Sequence, residues 1–289
     1  MSALFFMNLT ENINQALENI YISPLELCNL NCRACYTNKT KNILSNQQIF
    51  DFIENYNNSL KKRKLSLKSI LICGGEVFTL KDFPLLINTL IEKNIFITII
   101  TNGTINRLSE IKNPQNCQLL VSIDGPKEIH DNNRGQGNFD KSMAFIKYAK
   151  EFGFPTEIMF LITKNSYPFK DSLNILNLPK TYLSDRKMSL SKEQLLDIKN
   201  NYQTFPSKNF GCFQLSLQST GIITGCCESS LKLGTINDNP DIYVDNFIKS
   251  LNKCSGCQKC NGCSDPNYFC GYKTELNLTS CQDVVKSLK

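Results

Sequence analysis

Three thiols fall within eight residues at Cys28-Asn-Leu-Asn-Cys32-Arg-Ala-Cys35, directly after a β-prone apolar run. Three close ligands on one loop can hold three irons of a 4Fe–4S cube and leave the fourth iron open to an outside ligand, which is where chemistry can take place. A zinc ion would need a fourth ligand from elsewhere in the chain, and that reading stays open at this point. A second field lies towards the C-terminus: Cys254, Cys257, Cys260, Cys263, Cys270 and Cys281 put six thiols into 28 residues, with Cys212, Cys226 and Cys227 upstream. Its C-x2-C-x2-C-x2-C run suits one zinc site or a ferredoxin-like series, although the proline after a ferredoxin's last cysteine is missing. The one histidine, His130, excludes a histidine-rich zinc site and a two-histidine iron triad. It reads as a structural or surface residue rather than as a base.

The elements that must position these thiols are legible in the hydrophobic pattern. With 289 residues, 41% hydrophobic, the chain can build one large domain or two modest ones. From about residue 20 to 163, short β-rich runs alternate with amphipathic stretches, the pattern of repeated βα units on a parallel sheet. Strands are expected at Ile20 to Pro24, Ser69 to Cys73, Phe96 to Thr101, Gln118 to Ile123 and Thr156 to Ile162. Helices are expected at 46–59, 82–93, 105–111, 139–152 and 192–203, and a sixth strand near Arg186 to Leu190. Ser45 with Gln48 and Ser191 with Gln194 form capping-box patterns at two helix starts. Beyond residue 205 helical periodicity fades, a hairpin-like segment runs from Phe213 to Ile223 with Gly221 at its turn, and cysteine density rises. The expected division is therefore 1–204 and 205–289.

A net charge of +6 without a long basic block disfavours nucleic-acid binding. No apolar run reaches signal-peptide or membrane-span length, so the expectation is a cytoplasmic protein with no membrane partner. In a reducing compartment 14 cysteines suggest metal ligands rather than disulfides.

Four motifs stand at four consecutive strand ends: the cysteine triplet, Gly74-Gly75-Glu76, Thr101-Asn102-Gly103-Thr104 and Ser122-Ile123-Asp124-Gly125-Pro126. Asn133-Arg134-Gly135-Gln136-Gly137-Asn138-Phe139 follows and leads into a helix. In this series the chain resembles the radical SAM superfamily. The resemblance implies a partial (β/α)6 TIM-like barrel, α/β in class, with a 4Fe–4S cluster on Cys28, Cys32 and Cys35 and S-adenosylmethionine across the rim. By position it implies that Gly74, Gly75 and Glu76 hold the amino group of S-adenosylmethionine, Ser122 and Asp124 its ribose, and Arg134 its carboxylate. Asn102 and Tyr36 join this cofactor-binding set. One departure is Ala34, which stands where relatives usually carry a large residue against adenine, with Tyr36 just beyond.

The C-terminal field, Cys212-x8-Gly221-x4-Cys226 then Cys254-x2-Cys257-x5-Cys263, Cys270 and Cys281, resembles the SPASM extension that follows many such barrels. The resemblance implies a small cysteine-rich domain with two auxiliary 4Fe–4S clusters, one on Cys212, Cys226 and Cys270 and one on Cys254, Cys257, Cys263 and Cys281. It leaves Cys73 and Cys117 as buried hydrophobes, and Cys227 and Cys260 as a missing ligand or as hydrogen-atom donors to a substrate radical. The implied reaction is reductive cleavage of S-adenosylmethionine and removal of a hydrogen atom, to crosslink, epimerise or oxidise a ribosomally made peptide or protein. A radical dehydrogenase acting on a small molecule and a non-enzymatic zinc or electron-transfer module are the competing expectations. Expected partners are an electron donor such as flavodoxin or ferredoxin and, because only about 20 residues precede the first strand, a separate leader-binding protein if a leader is read and the barrel rim does not read it.

Overall fold

A computed structural model of the chain describes residues 9–35, 37, 39–184, 190–203, 214–225 and 232–253. Six strands run parallel in chain order: β1 (Asn19–Ile22), β2 (Ser69–Ile72), β3 (Phe96–Thr101), β4 (Cys117–Ser122), β5 (Thr156–Ile162) and β6 (Lys180–Ser184). Around them lie α1 (Leu9–Glu18), α2 (Asn46–Lys61), α3 (Phe83–Glu92), α4 (Lys127–Arg134), α5 (Asn138–Glu151) and α6 (Lys192–Asn201). The sheet does not stop at β1. A strand from beyond residue 205, β7 (Ser216–Leu217), pairs parallel to β1, and β8 (Ile222–Thr224) and β9 (Lys232–Thr235) continue antiparallel. Gly221, at φ +77°, makes the turn of the expected hairpin. One sheet therefore crosses the position expected to divide the chain. The final described helix, α7 (Pro240–Lys253), returns to pack on α2.

Because the strands are parallel, the C-terminal ends of β1 to β4 share one rim, and all four motifs hang from it. The strands carry Ile, Leu and Val on buried faces: Ile20, Ile70, Ile72, Ile97, Ile99, Leu119 and Val121 are almost wholly buried. Helix α2 contributes Ile49, Phe52, Tyr56 and Leu60 to this core, and the Phe52, Tyr56 and Tyr243 rings stack in series. Both capping boxes form as expected.

Three expectations need correction. The helix expected at 105–111 is only a short 3-10 turn, Leu108–Glu110. Arg107 there reaches across to the carbonyls of Leu80 and Lys81, both at 2.8 Å, and Asn113 takes a left-handed φ of 52° before Pro114, so the crossover is tied down as a loop. The sixth strand lies at Lys180–Ser184 rather than near 186–190, since Thr181 and Tyr182 supply the buried β-formers. Helix α4 was not expected: Lys127–Arg134 is too polar to show an apolar stripe.

Candidate functional site

The cysteine loop is closed at its neck by an antiparallel bridge between Leu25 and Ile43 and by the Leu44 N–H donating to Pro24 O at 2.8 Å. Beyond the neck it rests on Gly74-Gly75-Glu76. The Gly75 N–H donates to Leu25 O at 3.0 Å and the Glu76 N–H to Leu27 O at 2.9 Å, which lays two backbones in direct contact. A Cβ on Gly74 would sit 2.2 Å from Leu25 O, and one on Gly75 only 1.8 Å from Leu27 O. Both glycines are there because nothing larger fits.

Glu76 is fully buried. Its carboxylate accepts from Thr101 Oγ1 at 2.8 Å, from the Asn102 N–H at 2.8 Å and from the Phe78 N–H at 3.2 Å. Burial pushes its pKa up, and these three donors work in the opposite direction. Its carbonyl also accepts from Thr79. Glu76, expected to help hold an amino group, thus joins the ends of β2 and β3 inside the rim.

From that junction Asn102 reaches the first thiol. Its Nδ2 donates to Asn29 Oδ1 at 3.0 Å and lies 3.8 Å from Cys28 Sγ, which also receives the Leu30 N–H at 3.4 Å. The Asn102 carbonyl is fixed by Ser142 Oγ of α5 at 2.7 Å. On the opposite side Asp124, at the end of β4, is 1% exposed. It grips Arg134 in a two-pronged pair, with Nε to Oδ2 at 2.6 Å and Nη2 to Oδ1 at 2.9 Å, and takes Asn133 Nδ2 at 2.6 Å. Asp124, expected at the ribose, thus has Asn133 and Arg134 as its protein partners. Ser122, at the same strand end, is nearly buried.

Arg134 is only 12% exposed, and burial opposes its charge. The adjacent Asp124 carboxylate, with the Cys32 and Cys28 thiols, outweighs that and raises its pKa further. Cys28 and Cys32 are themselves pushed up, mainly by burial, while Arg134 pulls Cys32 down. His130 is fully buried; its Nδ1 accepts the Asp124 N–H at 3.3 Å and its ring meets Phe139 edge-on at 5.6 Å. Burial lowers its pKa to about 4, so it stays neutral and structural.

Asn133 was not singled out from sequence, yet it touches the cysteine loop twice. Its Oδ1 accepts the Ala34 N–H at 3.0 Å and its backbone carbonyl the Arg33 N–H at 2.9 Å. A cleft of about 560 Å³ opens beside it, lined by Asn31, Arg33, Lys127, Glu128 and Gln136 among others. None of Gly74, Glu76, Asn102, Ser122, Asp124 or Arg134 lines that cleft, so it flanks the site rather than forming it.

Cys28, Cys32 and Cys35 are free and half-buried, and Cys73 and Cys117 are buried small hydrophobes as expected. Among the described residues no three donors converge where a single metal ion could sit. Tyr36 and the cysteines at 212, 226, 227, 254, 257, 260, 263, 270 and 281 lie outside the described residues.

The family profile of the Radical SAM superfamily matches residues 22–175, more than half of the chain, and spans all four strand-end motifs. The chain belongs to the radical SAM superfamily. Membership implies a 4Fe–4S cluster and S-adenosylmethionine. The chain is 29% identical over 150 residues to the Fe-coproporphyrin III synthase of Methanosarcina barkeri, covering 48% of this chain and 35% of that protein. It is 26% identical over 151 residues to the antilisterial bacteriocin subtilosin biosynthesis protein AlbA of Bacillus subtilis, covering 50% of this chain and 33% of that one. The matched stretch is thus about a third of either relative's length. Among radical SAM structures, Streptococcus suis SuiB bound to precursor peptide SuiA superposes with a TM-score of 0.65 at 18% identity, covering 90% of this chain and 76% of that one. At that identity the likeness concerns the fold, a TIM-like partial barrel. Among the described residues no helix is long and apolar enough to cross a membrane.

Proposed function

We propose that this radical SAM protein modifies a ribosomally made peptide or protein by abstracting a hydrogen atom from it. The observation that carries the reading is the placement of three half-buried free thiols on one barrel rim with the buried, doubly anchored Arg134, whose charge acts on Cys28 and Cys32. These residues fit the family's cofactors. Cys28, Cys32 and Cys35 offer thiolates for three irons, and Arg134 Nη1 is left over from the pair with Asp124 to meet a carboxylate. Gly74 and Gly75 let that backbone lie close enough to the cysteine loop for their carbonyls to meet an amino group, and Ser122 stands at the strand end assigned to the ribose. When bound, cluster and S-adenosylmethionine together supply a hydrogen-abstracting radical; the chain's part is to orient them and to keep water out.

Similarity to a bacteriocin biosynthesis protein and to a barrel that binds a precursor peptide supports a peptide substrate. On the same reading Cys212, Cys226 and Cys270 serve one auxiliary cluster, Cys254, Cys257, Cys263 and Cys281 a second, and Cys227 or Cys260 a hydrogen-atom donor. A flavodoxin or ferredoxin supplies the electron, a separate protein presents the leader, and the work is done in the cytoplasm. Similarity to Fe-coproporphyrin III synthase favours a second reading, modification of a small molecule.

Anaerobic reconstitution followed by incubation with S-adenosylmethionine, reductant and peptides encoded beside the gene tests this, read by mass spectrometry. A loss of two mass units indicates crosslinking or dehydrogenation, and deuterium uptake without mass change in light water indicates epimerisation. The variant with Cys28, Cys32 and Cys35 all changed to alanine should fold and release no 5'-deoxyadenosine. Turnover of a small molecule but of no peptide would replace the first reading by the second, and release of 5'-deoxyadenosine by the triple variant would overturn both.

A further inference from the structure

We infer that Asn133 is a positioning residue that fixes the cysteine loop, and with it the cluster, against the Arg134 that faces S-adenosylmethionine. The inference rests on the assignment of Cys28, Cys32 and Cys35 as cluster ligands. The loop is held at two places by side chains from different elements, the end of β3 and helix α4. On the Cys28 side the hold comes from Asn102 through Asn29. Between Cys32 and Cys35 it comes from Asn133, whose Oδ1 takes the Ala34 N–H at 3.0 Å while its Nδ2 gives to Asp124 Oδ2 at 2.6 Å. One amide side chain therefore joins the stretch between two ligands to the carboxylate that orients Arg134.

A primary amide is suited to this place, because it must accept from a backbone N–H with one atom and donate to a carboxylate with the other. Aspartate would keep the acceptor for Ala34 but set a second negative charge against Asp124. Leucine would fill the volume and do neither. The neighbouring amide is a built-in control. The Arg33 N–H is held at 2.9 Å by the backbone carbonyl of Asn133, which no substitution at 133 removes.

The bond also bears on Ala34. With a methyl group in place of a large side chain, this stretch has little packing surface of its own, and polar contacts to its backbone must set its course. In the sequence Ala34 and Asn133 are 99 residues apart, and the fold brings them together only because β1 and β4 end on the same rim.

The test compares wild type with Asn133→Ala and Asn133→Asp. In the metal-free protein, amide-resolved hydrogen–deuterium exchange should show Ala34 exchanging about fivefold to tenfold faster in Asn133→Ala, as expected for one lost hydrogen bond, with Arg33 unchanged. Asn133→Asp should keep Ala34 protected. In the reconstituted protein, iron loss to a chelator should be several-fold faster in Asn133→Ala, with the thermal melt of the metal-free chain within a few degrees of wild type. Unchanged Ala34 exchange, or unchanged iron loss in a variant that does lose that protection, overturns the inference. Were Asn133→Ala unable to fold, Asn133→Asp carries the same comparison, since faster iron loss with Ala34 still protected would assign the hold to the Asp124 bond alone and reject the role of the Ala34 bond. If wild type itself takes up no iron on Cys28, Cys32 and Cys35, the cluster assignment fails instead, and the exchange result at Ala34 still reports on Asn133.

Discussion

Replacing Gly75 by alanine should detach the cysteine loop from the barrel rim. The backbone at Gly75 is not in the left-handed region, so the substitution carries no intrinsic conformational cost, and any effect must come from contact. The new Cβ would lie 1.8 Å from Leu27 O, 2.3 Å from Leu27 C and 2.6 Å from Glu26 O. All three are backbone atoms, so no rotamer change can relieve the clash, and the carbonyl must retreat to at least 3.0 Å. That movement breaks the hydrogen bonds Gly75 N–H to Leu25 O and Glu76 N–H to Leu27 O. At about 1 kcal/mol each the loss is about 2 kcal/mol, which lowers the melting temperature of the metal-free protein by about 3 °C for a chain of this size. It also shifts Cys28 relative to Cys32 and Cys35, so iron retained after reconstitution should fall by about half or more, in line with the 10–100-fold affinity losses seen when supporting contacts of a metal site go. Gly137→Ala is the control: nothing lies within 4 Å of its added Cβ, and its φ of +78° adds only left-handed strain, about 1 kcal/mol. Differential scanning fluorimetry and iron analysis read both variants. A Gly75→Ala protein that melts within about 1 °C of wild type and keeps its iron would refute the close backbone packing deduced for this contact.

Asn102→Ala removes the side-chain N–H nearest Cys28 Sγ, and since donors to the sulfur stabilise the reduced cluster, the midpoint potential should fall by about 20–60 mV in an EPR-monitored titration. His130, with its pKa lowered to about 4 by burial, contributes stability that is complete above its unfolded pKa near 6.5 and is lost as pH falls towards 4. Melts of the metal-free protein at pH 7 and pH 5 should therefore differ by roughly 2 kcal/mol more in wild type than in His130→Asn, which keeps an acceptor for the Asp124 N–H but cannot titrate. Asp241 of α7 is held well below the usual carboxylate range by Lys62, then Ser59 of α2 and Arg63 just beyond it. Its contribution is full above the unfolded pKa near 3.9 and is lost as pH falls from there through the lower folded value, and Asp241→Asn should cost about 1 kcal/mol at neutral pH after allowance for solvent, with the difference between variant and wild type shrinking in melts taken below pH 4.

Strands β3 and β5 and the start of α2 were legible in the sequence to the residue, because their apolar periods and capping chemistry are local properties. Helix α4 was not, since its residues Lys-Glu-Ile-His-Asp-Asn-Asn-Arg show no apolar face. Tertiary bonds hold it: Asp124 takes Asn133 and Arg134, and Asp131 accepts the Gly137 and Phe139 N–H groups at the start of α5. The site was legible as a set of motifs but not as a set of contacts. Glu76 and Asp124 stand out in the sequence as acids at strand ends, and the fold adds the bonds that their oxygens take from Thr101, Asn102, Asn133 and Arg134. Asn133 carries no signal of its own, because a pair of asparagines before an arginine is ordinary loop or helix-end composition.

The same contacts bear on the order of assembly. Cys28, Cys32 and Cys35 are half-buried and absent from the continuous apolar core, which is built from the strands, α1, α2, α3, α5, α6 and α7. The loop that carries them is shaped by bonds to the ends of β2, β3 and β4: Glu76 to Leu27, Asn102 to Asn29, and Asn133 to Arg33 and Ala34. Each of those partners is placed by the sheet or by α4, so the loop's course depends on the paired strands and not on the thiols. Metal then enters a surface already arranged for it, unlike a zinc finger, in which metal binding supplies the folding free energy. Removing the three thiols should for this reason leave the melting of the metal-free chain almost unchanged, whereas removing Glu76, a buried brace with no thiol, should lower it. Glu76→Ala strips three donors of their acceptor at once, and a melt falling further in that variant than in the triple cysteine variant is the order that a scaffold formed before its metal requires.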